Sequence, residues 1–293
     1  MNISFPKFVL ITPARNEEAF LPKVINAIVG QTVLPAEWVI VDDGSRDRTA
    51  LIAREAAQKY KWLRVYQRQD RGFRDLGAGV AEAISEGLAQ VSLEDYEFIF
   101  NVDADIILGP RYFETILKKF MEDPNLGIAV GEVYEQVNQK LVKMRAQPLG
   151  MVGALKGWRR TCFEQIGGLA RGEGWDGIDC YQAMRFGWRT ATFPDKELQT
   201  IHLRLGRTSV GNIFHGWRRH GQALYFTGSH PLYVVASALY HLAERPFILG
   251  GICLVLGYLE SYLGKSEQYG DRGFRQFVRR WQLDRLAKIL RLR

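Results

Sequence analysis

Val39-Ile40-Val41-Asp42-Asp43-Gly44-Ser45 and, about sixty residues on, Phe98-Ile99-Phe100-Asn101-Val102-Asp103-Ala104-Asp105 decide the fold. Each is a short apolar run that stops at carboxylates. Such a run, bounded by Gly and polar residues, reads as a strand buried on both faces of a parallel sheet. In open α/β sheets, ligands bind outside the carboxyl ends of the strands. At least three carboxylates are thereby expected on one rim of one sheet. Packed carboxylates repel unless a cation sits among them, which points to a divalent metal and a phosphate-bearing ligand.

Working outward, Phe8 to Ile11 reads as a first strand, Thr12 to Asn16 as a loop, and Glu17 to Val29 as a helix stopped by Gly30. Ser45 and Asp47 are N-cap candidates for a helix over Thr49–Tyr60. Leu63 to Tyr66 is a third strand, Gly77 to Gln90 a helix, Phe98 to Val102 a fourth strand, and Pro110 to about Met121 another helix. This alternation through about residue 105 predicts a parallel sheet with crossover helices. Further on, Gly127 to Val133 resembles a strand, and Gly167 to Asp179 is a loop rich in Gly and acids. A helix follows from Ile178 or Asp179 to Phe186. No internal repeat or low-complexity tract is visible.

With 47% hydrophobic and 24% charged residues among 293, the chain is an ordinary globular one with material for one large or two smaller domains. Its net charge of +7 is unevenly placed. Residues 271–293 hold eight Arg or Lys against two Asp, so the basic character belongs to the tail. Cys162, Cys180 and Cys253 are odd in number and lack CxxC spacing, which argues against zinc and a disulfide framework and fits a reducing compartment. The apolar stretch Phe8–Ile11 is too short for a secretory signal.

The C-terminal third changes character. Pro231 to Leu242 is almost wholly apolar, and Pro246 to Leu259 carries no charge. Neither reaches the ~20 residues of a spanning helix. They read as paired core helices or as a hairpin lying in a membrane interface. Phe274, Phe277, Val278 and Trp281 recur at i, i+3, i+4, i+7 with arginines between them. Such a basic amphipathic helix suits an anionic membrane surface, or packs on its own domain.

Asp103 and Asp105 directly follow a strand, and hard oxygen ligands suit Mg²⁺ or Mn²⁺, which also takes phosphate oxygens. A carboxylate at the position of Asp43 can accept a hydrogen bond from a base N–H or a ribose hydroxyl. Arg71 and Arg74, before the Gly-rich start Gly77-Ala78-Gly79, suit phosphate. The third glycine of a dinucleotide fingerprint is absent, Glu82 standing there, so an NAD site is rejected. Asp176 and Asp179, in a Gly-rich loop, can supply a general base or cap a helix. His202, at a strand end, is a candidate third metal ligand.

Ile11-Thr12-Pro13-Ala14-Arg15-Asn16-Glu17-Glu18, Val41-Asp42-Asp43-Gly44-Ser45 with Asp47, and Val102-Asp103-Ala104-Asp105 occur in an order and at a spacing that resemble family 2 glycosyltransferases of the GT-A fold. Trp158-Arg159-Arg160, Gly167-Gly168-Leu169, Trp175-Asp176 and Gly187-Trp188-Arg189 resemble their acceptor half. The resemblance covers roughly residues 5–205. It implies an α/β protein with a mostly parallel, GT-A-type sheet flanked by helices, to which the residues beyond it add a helical, partly apolar C-terminal extension. The implied domain spans 1–205, with a nucleotide-sugar half at about 1–108 and an acceptor half at about 109–205. Residues 206–293 form the extension, with apolar segments in 231–263 and a basic helix over 271–293.

The implied reaction is inverting transfer of a sugar from a nucleotide sugar to an acceptor hydroxyl. By resemblance Thr12, Pro13, Arg15, Asp43, Arg71, Arg74 and Asp103 hold the nucleotide. Asp105, with Asp103, is implied to hold a divalent metal, whose shell His202 is a candidate to complete. The family's base lies eleven residues before a Gly-Tyr-like turn, which selects Asp176. Trp175 stands where the family has Glu, so Asp179 stays open as an alternative. Expected partners are a nucleotide-sugar donor, a glycan or lipid-linked acceptor and an anionic membrane surface met through 231–293. The implied setting is the cytoplasmic face, peripheral or monotopic, in cell-envelope or exopolysaccharide synthesis. A sugar nucleotidyltransferase would want a Gly-rich basic loop after the first strand, and Thr12–Asn16 contains no Gly. A nucleic-acid binder would want a stacking platform, whereas the basic charge is confined to one helix with aliphatic as well as aromatic neighbours.

Overall fold

A computed structural model describes residues 4–73, 75, 77–137, 140–144, 148–204, 213–243 and 247–291. Seven strands form the main sheet: β1 (Phe8–Ala14), β2 (Glu37–Asp42), β3 (Leu63–Gln67), β4 (Phe98–Val102), β6 (Leu126–Gly131), β9 (Leu155–Arg159) and β10 (Arg189–Phe193). Their order is β10-β6-β9-β4-β1-β2-β3. β1 pairs in parallel with β2 and β4, β2 with β3, and β6 with β10. β9 runs antiparallel between β4 and β6. A smaller sheet, ordered β5-β11-β7-β8, comprises β5 (Ile106–Leu108), β7 (Val133–Val137), β8 (Lys140–Lys143) and β11 (Thr200–His202).

Strand residues alternate between two cores because successive side chains point to opposite faces. Phe8, Leu10, Trp38, Ile40, Phe98 and Phe100 enter one, beneath the helices α1 (Leu21–Val29), α2 (Thr49–Lys59) and α4 (Tyr112–Glu122). Val9, Ile11, Val39, Val41, Ile99 and Trp158 enter the other, with α3 (Ala78–Leu88), α5 (Arg160–Gln165) and α6 (Trp175–Arg185). Burial on both faces explains why these strands read as continuous apolar runs.

Several boundaries differ from the sequence reading. β1 continues through Ala14 because its parallel register with β2 extends to Ala14 opposite Asp42. Thr12 and Pro13 are therefore strand residues, and Asn16, at φ 55°, marks the turn. α1 begins at Leu21 with Pro22 in its first turn, where a missing N–H costs nothing. Glu17 and Glu18 precede it. Asp47 Oδ1 accepts the Thr49 N–H at 2.9 Å and stabilises the start of α2. Ser45 instead accepts the Asn16 N–H, tying the turn after β1 to the turn after β2. α6 starts at Trp175, not at Ile178 or Asp179, because Gly174 takes the left-handed conformation (φ 77°) just before it.

The C-terminal region is helical: α7 (Ile213–Phe226), α8 (Pro231–Tyr240), α9 (Ile248–Leu263) and α10 (Arg272–Arg291). The expected boundary at 205/206 lies outside the described residues. A Cβ on Gly221 of α7 would stand 1.9 Å from the Leu254 carbonyl oxygen, and one on Gly257 of α9 would stand 2.0 Å from that of Arg218. Two glycines thus let the α7 and α9 backbones touch. Of the two readings of α10, packing on its own domain is the one its burial supports. Phe274 and Val278 are wholly buried, and Phe277 and Trp281 pack against the same core as α6. Its aromatic side is used by the domain itself. Among the described residues no helix is long and apolar enough to cross a membrane.

Candidate active site

Parallel pairing of β1, β2 and β4 brings their carboxyl ends to one rim. The Asp43 N–H donates to the Ala14 carbonyl at 2.8 Å, and the Asp103 N–H to that of Ala154 at 2.8 Å. A cleft of about 450 Å³, its open mouth included, is lined there by Pro13, Arg15, Asp43, Asp103 and Asp105 among others. Asp75, just before α3, and Gly79 and Val80 in its first turn also line it. Thr12 does not reach the cleft. It is buried, and its hydroxyl accepts the Trp38 indole N–H at 2.9 Å.

Three guanidinium groups converge on Asp43. Arg68 reaches Oδ1 at 2.5 Å and Arg71 reaches Oδ2 at 2.6 Å, while Arg15 donates to the Asp43 carbonyl and to Asp70 Oδ1 at 2.7 Å. Burial pushes the Asp43 carboxyl above its usual range, against the opposing pull of Arg71, Arg68 and Arg15. Arg71 lies across the beginning of α3, where a Cβ on Gly79 would meet its Nη2 at 2.2 Å. That close approach is the use of the Gly77-x-Gly79 pattern in this chain. Arg74 lies outside the described residues. Arg68 was missed by the sequence reading, although its position at the end of β3, three residues before Arg71, was a usable signal.

β11 brings His202 beside Asp105, with Nε2 3.3 Å from Oδ2. Burial alone would lower the imidazole's pKa, but the bond to Asp105 and the charges of Asp105, Asp103 and Glu135 raise it. Its Nδ1 is buried without a hydrogen-bond partner among the described residues. Arg204 reaches the same Asp105 oxygen at 3.6 Å and Glu17 at 2.6 Å, a pairing with no sequence signal. Among the described residues no three His, Cys, Asp or Glu side chains form a ready-made metal cage. Asp105 and His202 in contact, with Asp103 nearby, nevertheless fit a hard ion that takes its remaining ligands from water and phosphate.

The two candidate bases have different fates. Asp179 is enclosed. Lys156 of β9 reaches both its oxygens at 2.9 and 3.0 Å, and the Trp158 indole donates to Oδ2 at 2.9 Å. Asp176, one turn earlier in α6, is partly exposed, and its main-chain carbonyl accepts from Lys156 Nζ at 2.6 Å. Burial raises the Asp176 carboxyl's pKa, Lys156 opposes this, and Asp179 and Glu173 add to it. Asp176 packs against Gly153, where a Cβ would stand 3.4 Å from Oδ2. Gly153 also accepts from the Asn101 amide at 2.9 Å and precedes Ala154, the partner of Asp103. Asp176 is therefore joined to the carboxyl end of β4 through the 153–154 backbone.

Residues 9–190 match the family model described as Glycosyl transferase family 2. Beta-monoglucosyldiacylglycerol synthase of Synechocystis sp. is 26% identical over 215 residues, covering 71% of this chain and 42% of that protein. Minor teichoic acid biosynthesis protein GgaB of Bacillus subtilis is 31% identical over 120 residues, covering 40% of this chain and 12% of that protein. The chain spans half the length or less of these and the other first curated relatives it matches. A mannosyltransferase of Pyrobaculum calidifontis, solved with GDP-Man and Mn²⁺, superposes with a TM-score of 0.58 at 17% identity, covering 99% of this chain and 81% of that one. That likeness is one of fold, and it confirms the expected GT-A architecture.

Proposed function

The chain belongs to glycosyl transferase family 2, and from that premise we propose that it moves a sugar, with inversion, from a nucleoside diphosphate sugar to an acceptor hydroxyl. The observation that carries the reading is the gathering of Asp43, Asp103 and Asp105 around one cleft at the strand ends. In this reading Asp43 receives a base N–H or ribose hydroxyl, exchanging Arg68 or Arg71 for the ligand. Arg15 and the released guanidinium balance the charge of the diphosphate. Thr12 contributes by setting the backbone next to Pro13, since its hydroxyl is engaged with Trp38. Asp105 and His202, with Asp103, are the residues that would hold Mg²⁺ or Mn²⁺. When bound, such an ion neutralises charge growing on the departing diphosphate.

Asp176 is assigned as the base that takes the acceptor hydroxyl's proton. A carboxylate partly screened from water, with its pKa raised, is better matched to that task than one locked to a lysine. We further propose a glycan or lipid-linked acceptor, met on the cytoplasmic face of a membrane in envelope or exopolysaccharide synthesis. The relative named for a glucosyldiacylglycerol supports the lipid acceptor, and the one named for minor teichoic acid biosynthesis supports an envelope glycan.

The test begins with a thermal-shift panel of UDP, GDP, dTDP and CMP sugars with Mn²⁺ or Mg²⁺, in which the donor stabilises by mass action. With that donor, Asp176→Asn is expected to lose ~10²–10⁴ in turnover while nucleotide affinity persists. Turnover close to wild type in Asp176→Asn, with Asp179→Asn inactive yet folded, would move the base to Asp179.

A further inference from the structure

We propose that the outward face of the α8–α9 hairpin, and not α10, docks the protein on an anionic bilayer, lying in the interface without crossing it. The inference rests on the membrane setting proposed above and narrows it to one surface.

α8 carries no charged residue and α9 only Glu260, yet only their inner sides are covered. Val234, Ala238, Leu254 and Tyr258 pack with Trp217 and Tyr225 of α7. Outward, Leu232 and Leu239 of α8 are 62% and 61% exposed, and Ile248 and Leu263 of α9 are 63% and 76% exposed. Leu249 and Leu256 complete the stripe on α9. At 100° per residue these α9 positions fall within roughly 100° of arc, so they form one face. Single exposed leucines are ordinary, but continuous stripes on two adjacent helices mark an interaction site.

Length and charge select the occupant. The 16 residues of α9 extend about 24 Å, short of the ~30 Å hydrocarbon core, so the helix lies along the surface. Exposed Tyr240 and Tyr262 stand near its two ends, suited to the headgroup level. Glu260 of α9 is neutralised by Arg218. α10 packs beside α8, where the His230 N–H donates to Gln282 Oε1 at 2.8 Å, and on that same side, within about 60° of Gln282, it carries Arg279 and Arg285. A second copy of the chain would set this positive charge against itself, whereas anionic lipid is complementary to it.

The experiment is sedimentation of the full chain with phosphatidylcholine vesicles carrying phosphatidylglycerol, at low and high salt. Melting temperature and nucleotide-sugar turnover on a water-soluble acceptor are read in parallel. Wild type is expected to cosediment, less so in salt. Leu239→Glu with Leu256→Glu is expected to lower partitioning at least about tenfold. Both positions are exposed, so turnover and melting should hold. Arg279→Gln with Arg285→Gln is expected to lower partitioning about tenfold at low salt and to flatten the salt dependence. If the leucine variant still cosediments, the membrane setting stands and the α8–α9 assignment falls. Wild type remaining in the supernatant at low salt overturns both, while turnover on the soluble acceptor still reports on the transferase reading. A dimer abolished by the leucine substitutions would make the face a self-interface and overturn the proposal.

Discussion

Lys156 Nζ lies 2.9 Å from the Asp179 carboxylate, and solvent reaches neither side chain. The pair ties β9, in the middle of the sheet, to the second turn of α6. A buried ion pair contributes little over a well-packed apolar pair, but removing one partner strands the other charge. Asp179→Asn is expected to cost about 3–5 kcal/mol and to lower Tm by several degrees. Lys156→Met should do the same, and Lys156→Met with Asp179→Leu should recover most of the loss. Calorimetric melting of the four proteins tests this. Independent, additive losses in the double variant would show that the two residues do not act as a pair.

Asp176 leads to a pH prediction. Its carboxyl is held above the usual 3.8 chiefly by burial. A base acts deprotonated, so kcat/KM should fall as pH drops through a value above 3.8, and the acid limb should vanish in Asp176→Asn. The stability consequence has the opposite sense to that of a salt-bridged acid. The folded state keeps this proton at pH values where the unfolded chain has released it. Acidification from above the folded value down to 3.8 therefore stabilises the fold, and the benefit is absent at higher pH. Chemical denaturation across that window, wild type against Asp176→Asn, should show the difference. An acid limb centred at or below 3.8 would remove Asp176 from the role.

What was legible in the sequence follows from the same physics. β2 and β4 were readable because a strand buried on both faces must be continuously apolar and because their carboxylates end it. β9 was not. Lys156 and Arg159 interrupt Leu155-Lys156-Gly157-Trp158-Arg159, and nothing local says that the lysine is neutralised by Asp179. The short strands β5, β7 and β8 depend on partners for their pairing and have little periodicity to detect, and β11 was readable only as the strand end at His202. At the candidate cleft, the common rim of Asp43, Asp103 and Asp105 was readable from strand ends. Arg68, Glu17 and Arg204 act through partners distant in sequence. The i, i+3, i+4, i+7 pattern of α10 was read correctly as one apolar side. Periodicity cannot say whether a core or a membrane covers that side, and the core does.

Metal removal should separate the two halves of the nucleotide site. With the donor identified by thermal shift, EDTA is expected to weaken binding of the nucleoside diphosphate and to stop turnover, with Mn²⁺ or Mg²⁺ restoring both. Asp105→Ala should make affinity for the nucleotide independent of added metal, and His202→Ala should weaken the metal dependence by about 10-fold or more. Asp43→Ala should weaken nucleotide binding with and without metal, since it leaves Asp105 and His202 in place. Isothermal calorimetry distinguishes these patterns. Unchanged metal dependence in Asp105→Ala would place the ion elsewhere.

α7 is held on two sides, and the two attachments should fail differently. On one side Gly221 touches the Leu254 carbonyl, so Gly221→Ala forces α7 and α9 apart and is expected to cost about 1–3 kcal/mol, read as a lower Tm. On the other side Arg219 grips both oxygens of Glu173, at 2.7 and 2.9 Å. That pair is partly exposed, so Arg219→Ala should change stability by less than about 1 kcal/mol. Glu173 lies three residues before Asp176, and its carboxyl rests against Gly77 at the start of α3, where a Cβ would stand 2.8 Å away. Loss of the grip therefore loosens the segment that positions Asp176, the proposed base, without unfolding the helix that carries it. Arg219→Ala is expected to raise KM for the acceptor and lower kcat several-fold, leaving donor affinity intact. Arg219→Lys should restore only part of this, because an ammonium cannot engage both oxygens in the same fork. A Tm loss in Arg219→Ala comparable to that of Gly221→Ala, with steady-state constants unchanged, would make the grip purely structural.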